Sequence, residues 1–240
     1  CNVNLLSDGA PFVLFEDARP GGGDARVFAG PCETVAAWTL GEVEPALEAL
    51  RAGLKRGRHA AGWFSYEAGH AFEPRLAARV TRRDAGAFPL LWFGLFERAD
   101  LVTREALERA LPDGAGAWLS APRPRMTHAA FAEKFARTQR YIADGDVYQI
   151  NLSYRADLTM LGDPLAAYAR LRGAGQGGWS GVVHNGDQWL LSTSPELFFR
   201  LSGGAIEARP MKGTAKRRSD PEEDRLAAEA LRRDPKELAE

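Results

Sequence analysis

Lys212 is the residue whose surroundings suggest chemistry. It lies in the run Arg209-Pro-Met-Lys-Gly-Thr214, after a predicted strand and directly before a glycine. A glycine at that point lets backbone approach a ligand closely. A lysine at the edge of a buried site can lose its proton near neutral pH and attack carbon. Glu196, in Ser-Pro-Glu-Leu-Phe-Phe, opens the preceding apolar stretch. If this stretch and the next form a hairpin turning near Ser202-Gly203-Gly204, residues near 196 and 210 meet across it. Glu196 and Lys212 would then share one site, with a proton donor and acceptor beside a nucleophile. The competing reading is a strand-edge salt bridge, which contributes little.

Other chemistries fit poorly. Lys212-Gly213-Thr214 lacks the order and the upstream glycine of a phosphate-binding P-loop. Gly173, Gly175 and Gly178 match a GxGxxG spacing, but a helix is predicted before them and a strand after. A dinucleotide site needs the reverse order, so that pyrophosphate meets a helix N-terminus. The four histidines, His59, His70, His128 and His184, show no metal-ligand spacing. No GxSxG elbow is present. The formal net charge of −1 supplies no basic excess for nucleic acid. No apolar run has transmembrane length. Two cysteines, Cys1 and Cys32, make no disulfide framework, and a reducing cytoplasm is the simplest setting. The first residue is not Met, so the chain is expected to begin inside a longer gene product.

The elements around these residues follow from periodicity and turn chemistry. Residues 11–18 read as a strand ended by Arg-Pro-Gly-Gly-Gly-Asp. Val43, Leu47, Leu50 and Leu54 repeat at helical spacing, with Gly57 as the stop. Residues 60–69 and 88–99 read as buried, aromatic-rich strands. Residues 100–127 are irregular and make the best linker. Thr127 caps a predicted helix ending near Gly145. Residues 148–158 alternate, with Ile150, Leu152 and Tyr154 on one face, and read as a strand. Asp163 and Pro164 open a short helix. Four short strands follow, and a last helix opens at Asp220 with acids early and arginines late. Helices and runs of antiparallel strands in this order predict an α+β fold.

The blocks 145–155 (GDVYQINLSYR), 191–201 (LSTSPELFFRL) and 209–224 (RPMKGTAKRRSDPEED) resemble the chorismate-utilising enzymes. Within that family they are most similar to the aminodeoxychorismate synthase component I branch, as is GWFSYEAGHAFEP at 62–74. The resemblance implies the N-terminal portion of a four-layer αββα chorismate-binding sandwich. It divides the chain into a family-specific region, 1–120, and the first part of the chorismate-binding domain, 121–240. It implies amination of chorismate to 4-amino-4-deoxychorismate, a precursor of p-aminobenzoate and folate, with ammonia from a glutamine amidotransferase subunit. Lys212 would attack chorismate covalently, Glu196 would protonate the departing hydroxyl, and Gly213 and Thr214 would contact the substrate. Gln149 stands where water-using relatives carry a lysine base, and a neutral amide cannot serve as that base. Magnesium is the implied cofactor, with Glu240 as its ligand, 28 residues after Lys212. Carboxylates and retained waters suit that ion.

Three departures and alternatives accompany the resemblance. Anthranilate synthases carry alanine at the Lys212 position, which argues against that branch. Relatives that hold tryptophan have a Pro-aromatic-Ser/Met segment where this chain has Gly178-Trp179-Ser180. The family's second half is missing from these 240 residues. By themselves they are expected to be inactive and to expose apolar sheet surface, and a non-catalytic scaffold is the alternative from another class.

Overall fold

Apolar alternation near the start of the chain forms strands β1 (Phe12–Glu16), β2 (Ala25–Ala29) and β3 (Glu33–Ala37), followed by helix α1 (Leu40–Lys55). The Glu42 carboxylate closes the N-terminus of α1 by accepting from the Trp38 and Thr39 amides at 2.7 and 3.0 Å. Strand β4 (His59–Phe64), a 3-10 segment (Tyr66–Phe72) and α2 (Pro74–Ala77) come next. Then come β5 (Leu91–Phe96), β6 (Asp100–Val102) and α3 (Arg104–Ala110). The middle of the chain holds β7 (Ala117–Leu119), β8 (Arg123–Pro124), α4 (His128–Ala143), β9 (Ala156–Asp157) and β10 (Met160–Gly162). Helix α5 (Pro164–Gly175) precedes β11 (Trp179–His184), β12 (Trp189–Ser194), β13 (Leu197–Ser202) and β14 (Ala205–Arg209). Helices α6 (Pro221–Arg233) and α7 (Pro235–Ala239) end the chain. This computed structural model describes residues 9–78, 88–175 and 177–239. Two units emerge, one joining Cys1–Leu111 to Leu171–Glu240 and one of Pro112–Arg170.

The first unit is layered. Its larger sheet has the order β12-β11-β1-β2-β6, and its smaller sheet has the order β3-β5-β4. All their pairings are antiparallel. Strand β5 is buried on both faces. Leu91 and Leu95 pack with Val43, Ala46 and Leu50 of α1. Trp92 and Phe96 point the other way and join Trp63, Val13, Phe28 and Val183 in a second core between the two sheets. The Trp63 and Trp92 rings stack at 5.4 Å, a geometry that adds to their burial. The residues therefore form a mixed α and antiparallel β unit with one helix and two sheets in successive layers.

The far face of β1 carries a buried charge. Glu16 keeps only 3% of its side-chain surface exposed, and Arg172 of α5 keeps 12%. The Arg172 Nε reaches both Glu16 carboxylate oxygens at 2.8 Å. Its Nη1 also lies 3.5 Å from Glu108 of α3. One guanidinium thus ties α5 and α3 to the sheet.

In the second unit Thr127 caps α4, its Oγ1 accepting from the Ala130 amide at 3.2 Å. Phe131 stacks on Phe135 and meets the edge of Tyr154. Strands β7 and β10 pair, as do β8 and β9. The expected strand over residues 148–158 does not form. Only Ala156–Asp157 is paired, and residues 149–155 have no regular structure. An alternating sequence becomes a strand only where a neighbour takes its amides and carbonyls. Among the described residues β8 alone does so, over two residues. The expected strand at 60–69 also stops early. Beyond Phe64 the chain turns into the 3-10 segment, where the Ala68 amide donates to the Ser65 carbonyl at 3.1 Å and Ala68 is buried under α1.

Removing Arg172 would take from the buried Glu16 the guanidinium that both its carboxylate oxygens accept from. Arg172→Ala is expected to cost about 3–5 kcal/mol in urea denaturation. A loss below about 1 kcal/mol, the scale of an exposed pair, would show that water reaches Glu16.

Candidate active site

The hairpin of β13 and β14 builds the site. Ser202 pairs with Ala205 across a two-residue loop. The loop residues Gly203 and Gly204 have φ of 56° and 81°. Both central positions of a type I′ turn need positive φ, and Gly-Gly supplies it without a side-chain clash. The turn fixes the register Leu201↔Ile206 and Arg200↔Glu207, and after an irregularity Leu197↔Arg209. The residue before β13 and the residues after β14 therefore meet at the foot of the hairpin.

Glu196 meets the backbone next to Lys212 there. The Glu196 Oε1 accepts a hydrogen bond from the Met211 amide at 2.7 Å, one residue before Lys212. The Glu196 amide donates to the Ser194 Oγ at 3.2 Å, so this residue is held from both sides. Lys212 and Thr214 are exposed and Gly213 is half-buried. The place a Cβ would take at Gly213 is filled by the carboxylate of Glu237 on α7. Only a glycine fits beneath that acid without moving it. The carboxylates of Glu196 and Glu237 thus flank the backbone on either side of Lys212, and such groups can bind a polar substrate and pass protons to it.

Glu237 escaped the sequence reading. Its signal was its place three residues before Glu240, a helical spacing that puts two acids on one face. Glu240 itself lies outside the described residues. Among the described residues no group of three or more His, Cys, Asp or Glu could hold a metal. The described residues therefore do not complete a magnesium site, and no step is derived through one. Gln149 belongs to the second unit, exposed in the irregular stretch after α4.

After Lys212, the Arg217 side chain and the Arg218 backbone are tied to α6. Arg217 reaches both carboxylate oxygens of Asp224 at 2.9 Å, and the Arg218 amide donates to the same group at 2.8 Å. Arg217 first, then the Arg218 amide, holds the Asp224 carboxyl below its usual range. The loop thereby packs on α6 along a groove of about 260 Å³ whose wall includes Ala215, Ala227 and Leu231. The hairpin itself is widely exposed, with Phe198 at 88% and Ile206 at 74%. Gly173 and Gly175 lie in the last turn of α5 and Gly178 directly precedes β11, the order that excludes a dinucleotide fingerprint.

A sequence profile described as chorismate binding enzyme matches residues 10–240. The chain belongs to the chorismate-binding enzyme family. Within the family, aminodeoxychorismate synthase component 1 of Klebsiella aerogenes is 35% identical over 201 residues, covering 75% of this chain and 44% of the relative. Anthranilate synthase component 1 of Thermus thermophilus is 39% identical over 111 residues, covering 46% of this chain and 24% of the relative. The chain spans less than half the length of either relative. The crystal structure of a putative 2,3-dihydroxybenzoate-specific isochorismate synthase from Bacillus anthracis matches with a TM-score of 0.62 at 18% identity. That match covers 98% of this chain and 58% of the other. It supports the family fold. No helix among the described residues is long and apolar enough to cross a membrane.

Placing a side chain at a positive-φ turn residue costs about 1–2 kcal/mol. Gly204→Ala is expected to lower stability by that amount in chemical denaturation. Gly41→Ala, at the start of α1, has open space and no positive φ, and should be neutral or slightly stabilising. Equal effects at the two positions would contradict the turn assignment.

Proposed function

We propose that this chain is the part of an aminodeoxychorismate synthase component I that carries its nucleophile and general acid. The observation that supports the reading best is the 2.7 Å bond from the Met211 amide to Glu196, which sets a carboxyl group beside Lys212. Membership of the chorismate-binding family supplies the substrate class. In this reading the Lys212 nitrogen bonds to C2 of chorismate while the C4 hydroxyl departs. Glu196 gives that hydroxyl a proton, so water leaves. Ammonia then bonds to C4, and the lysine nitrogen leaves C2. The route splits one difficult displacement into two through an amine, which requires a deprotonated lysine and a nearby proton donor.

Gly213 and Thr214 are proposed to line the substrate, because the backbone beside Lys212 is open to it apart from the Glu237 carboxylate. Gln149 is proposed to disfavour water as nucleophile, since an amide is not a base. Ammonia would come from a glutamine amidotransferase partner, a role in keeping with the component 1 names of the relatives. Magnesium is proposed to be held through Glu240 and to bind the carboxylate of chorismate; a hard dication of that kind keeps part of its water shell. The complete protein is proposed to have the αββα arrangement and to work in the cytoplasm.

The test uses the full-length gene product that carries this chain, with chorismate, ammonium and magnesium, and product identification by mass spectrometry. Aminodeoxychorismate is expected, abolished or slowed by at least about 10³-fold in Lys212→Ala and by removal of magnesium with a chelator. Anthranilate as product would assign the chain to the other branch. Turnover that survives Lys212→Ala would remove the covalent route, and no turnover by the unaltered protein would favour a scaffold.

A further inference from the structure

The hairpin that carries Glu196 and Lys212 is irregular where it should be firm. Its register breaks between Leu197 and Arg200, so the ladder near the foot does not hold the two strands evenly. Side chains span the gap. On one side is the bond from the Met211 amide to Glu196. On the other is Glu207, whose Oε2 accepts from Arg200 Nε and Nη2 at 2.9 and 2.6 Å across the hairpin. The Glu207 Oε1 accepts from Arg209 Nε, two residues before Met211. Arg200 in turn lies over the Trp179 ring of β11, 5.8 Å from its centroid, within the range of cation–π attraction. Trp179 is paired with Ser194 of β12, and Ser194 holds the Glu196 amide. The contacts, joined through the backbone from Arg209 to Met211, close into a ring that runs Trp179, Ser194, Glu196, Met211, Arg209, Glu207, Arg200 and back to Trp179.

From this ring we infer that Glu207 is a positioning residue, which bridges Arg200 and Arg209 and thereby fixes the Met211–Lys212 backbone against Glu196. The inference rests on the proposed function only for the use to which Lys212 is put. The bracing itself is a matter of geometry. Arg209 first and Arg200 second hold the Glu207 carboxyl below the usual glutamate range, so it stays an anion at neutral pH. The three side chains keep between 37% and 58% of their surface in water. Pairs this exposed add little to global stability. Their effect is therefore local, in the distance and angle between the lysine and its acid, and small misplacements of reacting groups are costly.

The test has two readouts, one of which needs no substrate. Hydrogen exchange at the Met211 amide is measured in the wild-type chain, Glu207→Ala, Arg200→Ala and the double variant, with Arg225→Ala on α6 as control. Each single variant is expected to speed exchange at Met211 by about tenfold. The double should add little to either, because the residues act in one ring. Arg225→Ala should leave the amide unchanged, and the melting temperature should stay near wild type in all variants. In the full-length gene product, Glu207→Gln is expected to lower kcat about fivefold with KM unchanged. Unchanged exchange in Glu207→Ala, fully additive effects in the double, or a fall in melting temperature that accounts for the exchange would each overturn the inference. If exchange responds as expected but the unaltered protein does not turn over chorismate, the brace stands and the proposed function falls. If the unaltered protein aminates chorismate and Glu207→Gln alters neither exchange nor kcat, the brace falls alone.

Discussion

Two glycines in sequence set the geometry on which the candidate site depends. Gly203 and Gly204 both occupy positive φ, which closes the β13–β14 loop in two residues and leaves one choice of register. A slip of one residue would turn every side chain to the opposite face. With this register Arg200 faces Glu207, and a one-residue shift beyond Arg200 then sets Leu197 opposite Arg209 and Glu196 at the Met211 amide. With any other, the acid and the lysine part company. The approach of Glu196 to the Met211 backbone is a consequence of turn chemistry before it is a consequence of the groups themselves.

The rest of the first unit is a layered base. Strand β1 pairs with β11 across more than 160 residues of chain, so distant parts of the sequence share one sheet. The two sheets bury a shared aromatic core, and α1 covers the smaller one. On the other face of β1, the buried Glu16–Arg172 pair fastens two helices. An ion pair so deeply buried confers a large penalty for breaking rather than a large gain for forming. It favours one arrangement of α5 and α3 on the sheet over alternatives that would leave either charge alone.

Much of this was legible in the sequence, and the remainder was not for identifiable reasons. Thr127, Asp163 and Asp220 announced helix starts because capping is local chemistry. Gly-Gly between two apolar runs announced the hairpin, and with it the approach of Glu196 to the backbone near 210. The pairing of β1 with β11 is non-local and left no mark in either strand. The stretch at 148–158 misled because alternation records which faces would be apolar and says nothing about whether a neighbouring strand exists. Nothing in the sequence marks Glu16, since its partner stands 156 residues away. Glu237 was hidden in a charged helical run, and only its contact with Gly213 distinguishes it. The family, by contrast, was carried by three short blocks whose residues surround Lys212 or lead up to it.

The account stands on Lys212 acting as a nucleophile beside Glu196. The most direct measurement is the intact mass of the full-length gene product after exposure to chorismate and magnesium without any ammonia source, followed by peptide mapping. The account predicts an adduct equal to chorismate less one water, located on Lys212. An adduct on another residue such as Lys216, or none in a protein that goes on to aminate chorismate when ammonium is added, would contradict it.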